Sequence, residues 1–176
     1  IVPLIYILTI GALKKYVHTN YYEQQLKLAF IAFAFIWLGV GSLTAYPHFL
    51  SYFNETIGQE NGWRYAVDSN YDWGQDLKRL AEFVQEQKID KIAVNYFGGG
   101  SPYYYLGDKA VDWYSSKGNP LESGIRWAAI SVNQIQNSTG KLAPDFSRKA
   151  EDAYPWLEDP AAPDFVVGRS IFVFRL

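Results

Sequence analysis

Three aspartates, two carboxamides and two aromatic rings fall within the nine residues Asp-Ser-Asn-Tyr-Asp-Trp-Gly-Gln-Asp that run from Asp68 to Asp76. Carboxylates and carboxamides can each hold a pair of neighbouring hydroxyls, and tryptophan or tyrosine offers a flat apolar face to the C–H side of a pyranose. Asp68, Asn70, Asp72, Trp73 and Gln75 are therefore the candidate substrate-binding residues, and a sugar is the ligand their chemistry suits.

The same residues admit two other roles. Asp76 to Gln87 (DLKRLAEFVQEQ) places Leu77, Leu80, Ala81 and Val84 at i, i+3, i+4 and i+7, the spacing of an amphipathic helix. Asp72 and Gln75 then stand at the N-cap and N3 positions of a capping box, with Asp76 in the first turn where the helix dipole favours an acid. Capping explains Asp72, Gln75 and Asp76 but leaves Asp68, Asn70 and Trp73 over. A metal is the other role, since Asp68, Asn70 and Asp72 match the first, third and fifth positions of a calcium loop. Trp73 stands where an EF-hand needs glycine, however, and Arg79 where it needs a bidentate glutamate. A divalent cation in some other geometry is the one cofactor these acids admit, and no ligand set is assigned to it.

The elements on either side must position this run. Leu28 to Phe53 contains no Asp, Glu, Lys or Arg, and Leu28 to Tyr46 alone reaches bilayer-spanning length. A transmembrane helix is expected there, because a chain of this size rarely buries an all-round apolar helix so long. Its internal position, without a small-residue cleavage pattern, fits a signal peptide poorly. Ile1 to Leu13 reads as the end of a preceding span. Lys14, Lys15 and Lys27 against Glu23 make the short connection basic, whereas the residues after Phe53 hold 13 bases and 17 acids. The positive-inside rule then puts the connection in the cytoplasm. Residues 1–53 are expected to be a membrane region and 54–176 an extracytoplasmic domain of a multi-pass inner-membrane protein. Trp37, Tyr46, Tyr52 and Phe53 around Pro47 resemble an interfacial aromatic belt, and the turn-rich stretch from Asn54 to Trp63 keeps the nonapeptide near the headgroups.

Beyond the helix, Lys91 to Phe97 alternates as a strand does, Gly98-Gly99-Gly100 ends it, and Ser101-Pro102 offers an N-cap with proline at the first helical position. The glycine run serves as a tight turn or, through its free amides, as an anion site. Tyr103, Tyr104 and Tyr105 can line a cleft or pack half-buried. Ile125 to Val132 reads as a buried strand, and Phe165–Val167 with Ile171–Phe174 as a hairpin around Gly168-Arg169. Ala143 to Asp164, acidic and proline-rich, is expected to be irregular but anchored by Tyr154, Trp156 and Leu157. The expected fold is thus a transmembrane α-helix, plus the end of a preceding one, followed by a soluble α/β or α+β domain with a small mixed sheet. Asn54-Glu55-Thr56 and Asn137-Ser138-Thr139 match the glycosylation acceptor pattern, which short chains often meet by chance.

Composition narrows the partners. A net charge of −2 over 176 residues argues against nucleic acid. The absence of cysteine excludes disulfides and thiolate metal sites. Methionine is absent too and the chain opens Ile-Val-Pro within an apolar run, so it is expected to be the carboxy-terminal piece of a longer protein.

The run SYFNE at Ser51–Glu55, DSNYDWGQDLKRL at Asp68–Leu80 and the terminal GRSIFVFRL from Gly168 together resemble the carboxy-terminal end of bacterial polytopic glycosyltransferases of the dolichyl-phosphate-mannose protein mannosyltransferase superfamily, of GT-C type. The likeness covers the last spans and the soluble tail, and its most specific part is the DSN-x-DWGQDL run. It implies transfer of a sugar from a polyprenyl-phosphate donor to a glycan or protein acceptor at the outer membrane face. It also implies a catalytic acid in an early extracytoplasmic loop outside this chain, so no catalytic residue is assigned here. A carboxylate near a bilayer and an aromatic wall can have a raised pKa. Acceptor binding or scaffolding of a capping domain is nevertheless the role expected of Asp68, Asn70, Asp72, Trp73 and Gln75. The rival from another class is a membrane-anchored, non-catalytic module that binds envelope glycan or a partner protein.

Overall fold

The computed structural model describes residues 2–18, 20–142 and 144–176, without the side chain of Ser69. Contacts divide the chain into two units, Ile1–Tyr46 and Pro47–Leu176.

The first unit is a pair of helices. Helix α1 (Val2–Val17) carries Lys14 and Lys15 in its last turn. The expected apolar span proves longer than its uncharged part, for α2 runs over Tyr21–Ala45. The Asn20 side chain caps it, accepting from the Glu23 amide at 3.1 Å, and this pulls the start seven residues ahead of Leu28. Lys27 lies over the Tyr16 ring, 4.7 Å from its centroid. Among the described residues α2 is the one helix long and apolar enough to cross a membrane, with a mean hydropathy of 2.1. Phe30, Phe33, Phe35, Ile36, Trp37 and Leu38 are all exposed on it.

The second unit is built on a five-stranded mixed sheet of order β2-β1-β3-β5-β4. Strands β1 (Ile92–Asn95), β2 (Ala110–Asp112) and β3 (Trp127–Ser131) run parallel, and β5 (Ile171–Arg175) pairs antiparallel with both β3 and β4 (Phe165–Val167). The β4–β5 pair is the expected hairpin, in register Val167 to Ile171. Alternation along the strands splits the core into two faces. Ile92, Val94, Ala129, Ile171 and Val173 meet α3 (Leu77–Glu86) on one face. On the other, Ala93, Ile130, Phe172 and Phe174 meet Trp63, Tyr71 and Tyr154.

Leu77, Leu80 and Val84 bury the apolar stripe of α3. Each such side chain contributes roughly 1.5–3 kcal/mol by leaving water, more than an N-cap of about 1 kcal/mol would add. Burial therefore holds this helix. Helix α4 (Pro102–Leu106) starts as its sequence suggests, with Ser101 accepting from the Tyr104 amide and proline in the first turn. The segment from Pro144 to Asp164 is irregular apart from a 3₁₀ turn at Ala150–Ala153, with Tyr154 buried and Trp156 and Leu157 packed against the core; Ala143 lies outside the described residues. Strand β2 and helix α5 (Val132–Thr139) are additions to the expected elements.

Candidate functional site

The nonapeptide folds as two turns. In the first, Asp68–Asn70, the amides of Tyr71 and Asp72 donate to the Asp68 carbonyl at 3.0 and 2.8 Å. Asp68 has φ +55°, a left-handed conformation that aspartate tolerates better than most side chains. In the second, the Gly74 amide donates to Asp72 Oδ1 at 2.8 Å, the local bond of an Asx turn. Gly74 has φ +77°, and a Cβ on it would lie 1.9 Å from the Tyr96 hydroxyl and 3.0 Å from Gly98 Cα. Only glycine fits there. The Tyr96 hydroxyl donates to the Gly74 carbonyl at 3.1 Å, tying the turn to the end of β1.

These turns overturn the capping box. Helix α3 begins at Leu77, and its N-cap residue Asp76 makes no side-chain capping bond. Left-handed Gly74 interrupts the helical path between Asp72 and Leu77, and the side chains meant for capping are engaged elsewhere.

Asp76 is wholly buried. Its Oδ2 accepts from the Arg169 amide at 2.8 Å and from the amide and hydroxyl of Ser170, both at 3.0 Å. Its Oδ1 accepts from Arg79 Nη1 at 2.5 Å. A Cβ on Gly168 would lie 2.0 Å from Asp76 Cγ, so the hairpin turn needs glycine to admit the carboxylate. Gln75 makes a second tie. Its Oε1 accepts from the Trp73 amide at 2.8 Å, while Nε2 donates to Ser51 Oγ at 3.0 Å and to the Tyr71 carbonyl at 3.2 Å. Ser51 Oγ donates to that same carbonyl at 2.9 Å. Three runs far apart in the chain, around Ser51, Asp68–Asp76 and Gly168–Ser170, thus form one hydrogen-bonded unit.

Asp72 is equally buried, but its Oδ2 has no hydrogen-bond partner. Burial pushes its carboxyl up to about 6, against partial relief from the Gly74 amide, and the Asp76 charge pushes the same way. Tyr71, whose ring tilts against Phe53, is raised to about 12, chiefly by burial. Beside this cluster a cleft of about 530 Å³ is lined by His48, Trp63, Arg64, Tyr71, Gly168 and Arg169, among others. Arg64 stacks over the Trp63 ring at 4.6 Å, and Arg169 pairs with Glu60 at 3.6 Å. Burial lowers the pKa of His48.

The chain matches no family model, no curated protein and no solved structure.

The five candidate residues separate by position. Asp68 and Asn70 are exposed, and Trp73 is 61% exposed. Asp72 is sealed in, and Gln75 is partly buried with both ends of its amide engaged. Among the described residues no three His, Asp or Glu side chains gather as a metal-holding group. Sequence reasoning did not find Ser51, Arg79, Gly168 or Ser170 as members of the cluster. Arg79 carried a usable signal, standing three residues after Asp76 on a helix. Ser51 and the Gly-Arg-Ser turn carried none beyond the family resemblance.

Proposed function

We propose that this chain forms the carboxy-terminal part of a membrane glycosyltransferase resembling the dolichyl-phosphate-mannose protein mannosyltransferase superfamily. The observation that carries the proposal is the mutual hydrogen bonding of the three runs on which the resemblance rests. Separate likenesses in sequence become parts of one physical object. The all-round apolar surface of α2 supports a bilayer-spanning role, since such a helix has no stable place in water. In this reading α2 crosses the inner membrane and residues 54–176 lie outside the cell membrane.

The acceptor oxygen, of a glycan or a protein, bonds to the anomeric carbon as polyprenyl phosphate leaves, and the base that takes its proton belongs to a part of the protein outside this chain. The buried acids hold the tail in shape, while Asp68, Asn70 and Trp73 contact the sugar or acceptor. The neighbouring cleft, with guanidinium groups and aromatic rings, has the chemistry a sugar phosphate would meet. The test is sugar transfer by the full-length protein in membranes. Asp68→Ala and Trp73→Ala should each lower turnover by about tenfold, the effect of losing one contact of about 1.4 kcal/mol, with melting unchanged. Full turnover in both variants would remove the contact role.

A further inference from the structure

We infer that the second unit carries a separate binding site for a neutral saccharide, in a cleft of about 450 Å³ at the carboxyl ends of its three parallel strands. Residues that follow each of those strands line it: Asn95 ends β1, Tyr114 to Ser116 come after β2, and Gln134 and Asn137 lie on α5 after β3. The fold makes an opening at this place. Strands β1 and β3 are parallel neighbours, yet α4 packs with α3 on one face of the sheet, while α5 puts Val132 and Ile135 into the core of the other. Where successive connections part to opposite faces, an open α/β sheet leaves a crevice at its carboxyl edge. The volume lies within the range of about 300–1,000 Å³ usual for ligand cavities.

The lining specifies the ligand. Asn95 Nδ2 donates to the Tyr154 hydroxyl at 2.6 Å, so that hydroxyl accepts and keeps its own hydrogen to give. The Asn95 carbonyl oxygen, the Gln134 and Asn137 amides and the Asp152 carboxylate take part in no side-chain hydrogen bond among the described residues. Arg148 spends Nε and Nη2 on the carbonyls of Asn137 and Gly140, fixing one wall at 2.7 and 2.9 Å. Each amide offers both a donor and an acceptor, which is what a sugar hydroxyl requires. Arg148 and Asp152 are opposite charges, so the lining is balanced and favours an uncharged polyol over a phosphate or a charged peptide. Tyr154 is 2% exposed and has φ +50°, a strained backbone for a bulky residue. Strain of this kind collects where a side chain must be aimed.

The inference does not depend on the glycosyltransferase proposal, because a chain without transfer activity can still bind here. The test is calorimetric and saturation-transfer NMR titration of the full chain in a detergent without a sugar headgroup. The probes are mannose, glucose, galactose, N-acetylglucosamine, cellobiose and glucose 1-phosphate. Because Trp73 is itself a sugar-contact candidate, Trp73→Ala serves as the background. Saturable binding of at least one neutral sugar should persist in that background and weaken by about tenfold or more on adding Asn95→Ala or Gln134→Ala. Gln134 is only partly buried on α5, so its variant keeps the test sound if Asn95→Ala fails to fold. No saturable neutral sugar in the background, binding indifferent to both substitutions, or tighter binding of glucose 1-phosphate would each overturn the inference.

Discussion

Asp72 and Asp76 lie four residues apart, equally sealed from solvent, and differ in what meets them. Asp76 receives two amides, a hydroxyl and a guanidinium. Asp72 receives one amide, and its second oxygen meets nothing. Ser170 lies near both carboxyls but has one hydroxyl hydrogen, and the bond to Asp76 at 3.0 Å takes it. Burial alone therefore does not fix an acid's role; the donors do. One aspartate is a clamp between distant parts of the chain, and the other is a carboxyl drawn toward its protonated form.

Breaking the clamp should have the largest effect. Asp76→Ala leaves the Arg169 and Ser170 amides without their acceptor and the partly exposed Arg79 guanidinium without its partner, and each buried donor left unsatisfied costs about 1–3 kcal/mol. Gly168→Ala attacks the same contact from the other side, since its Cβ would collide with the carboxylate. Urea unfolding of the full chain in detergent measures both. A loss under about 1 kcal/mol in Asp76→Ala would mean that the two aspartates are equivalent after all.

The effect at Asp72 is smaller and depends on pH. With its pKa raised from 3.8 to about 6, the folded state holds a proton that the unfolded chain releases. Stability from this group is therefore full below roughly pH 4 and is lost as pH rises through about 6, amounting to about 2–3 kcal/mol. Asp72→Asn keeps an acceptor for the Gly74 amide and removes the titration. The variant should match the parent near pH 4, exceed it at pH 7.5, and flatten the stability profile between. A parallel pair of pH profiles would show that Asp72 has a partner the structure lacks.

Sequence foretold what is local and left unsaid what is not. The 3.6-residue spacing of Leu77, Leu80 and Val84 marked α3, the alternation around Ile92–Val94 marked β1, and Gly168-Arg169 marked the hairpin turn. Strand β2 has three residues and a single neighbour, too little for a pattern to show. Helix α5 is eight residues with three asparagine, serine or threonine positions in its last turn, poor helix formers held by Val132 and Ile135. The start of α3 was misjudged because Asp72 and Gln75 have the spacing of a capping box, and nothing local says that Gly74 is left-handed. The Asp76 clamp spans 93 residues to Arg169, a contact that no window of the sequence contains.

The smallest expected effect comes from the contrast between a partly buried and an exposed side chain, at Trp73. Gln75 and Trp73 are near neighbours in one turn, but the Gln75 amide joins Trp73, Ser51 and Tyr71, whereas the indole stands 61% exposed. Gln75→Ala should cost about 1–2 kcal/mol through hydrogen bonds left unmade in a partly buried place. Trp73→Ala should change stability by less than about 0.5 kcal/mol, as surface substitutions do. Chemical unfolding of the two variants side by side decides it. If Trp73→Ala proves as destabilising as Gln75→Ala, the indole is packing, and its candidacy for contact with a sugar falls with it.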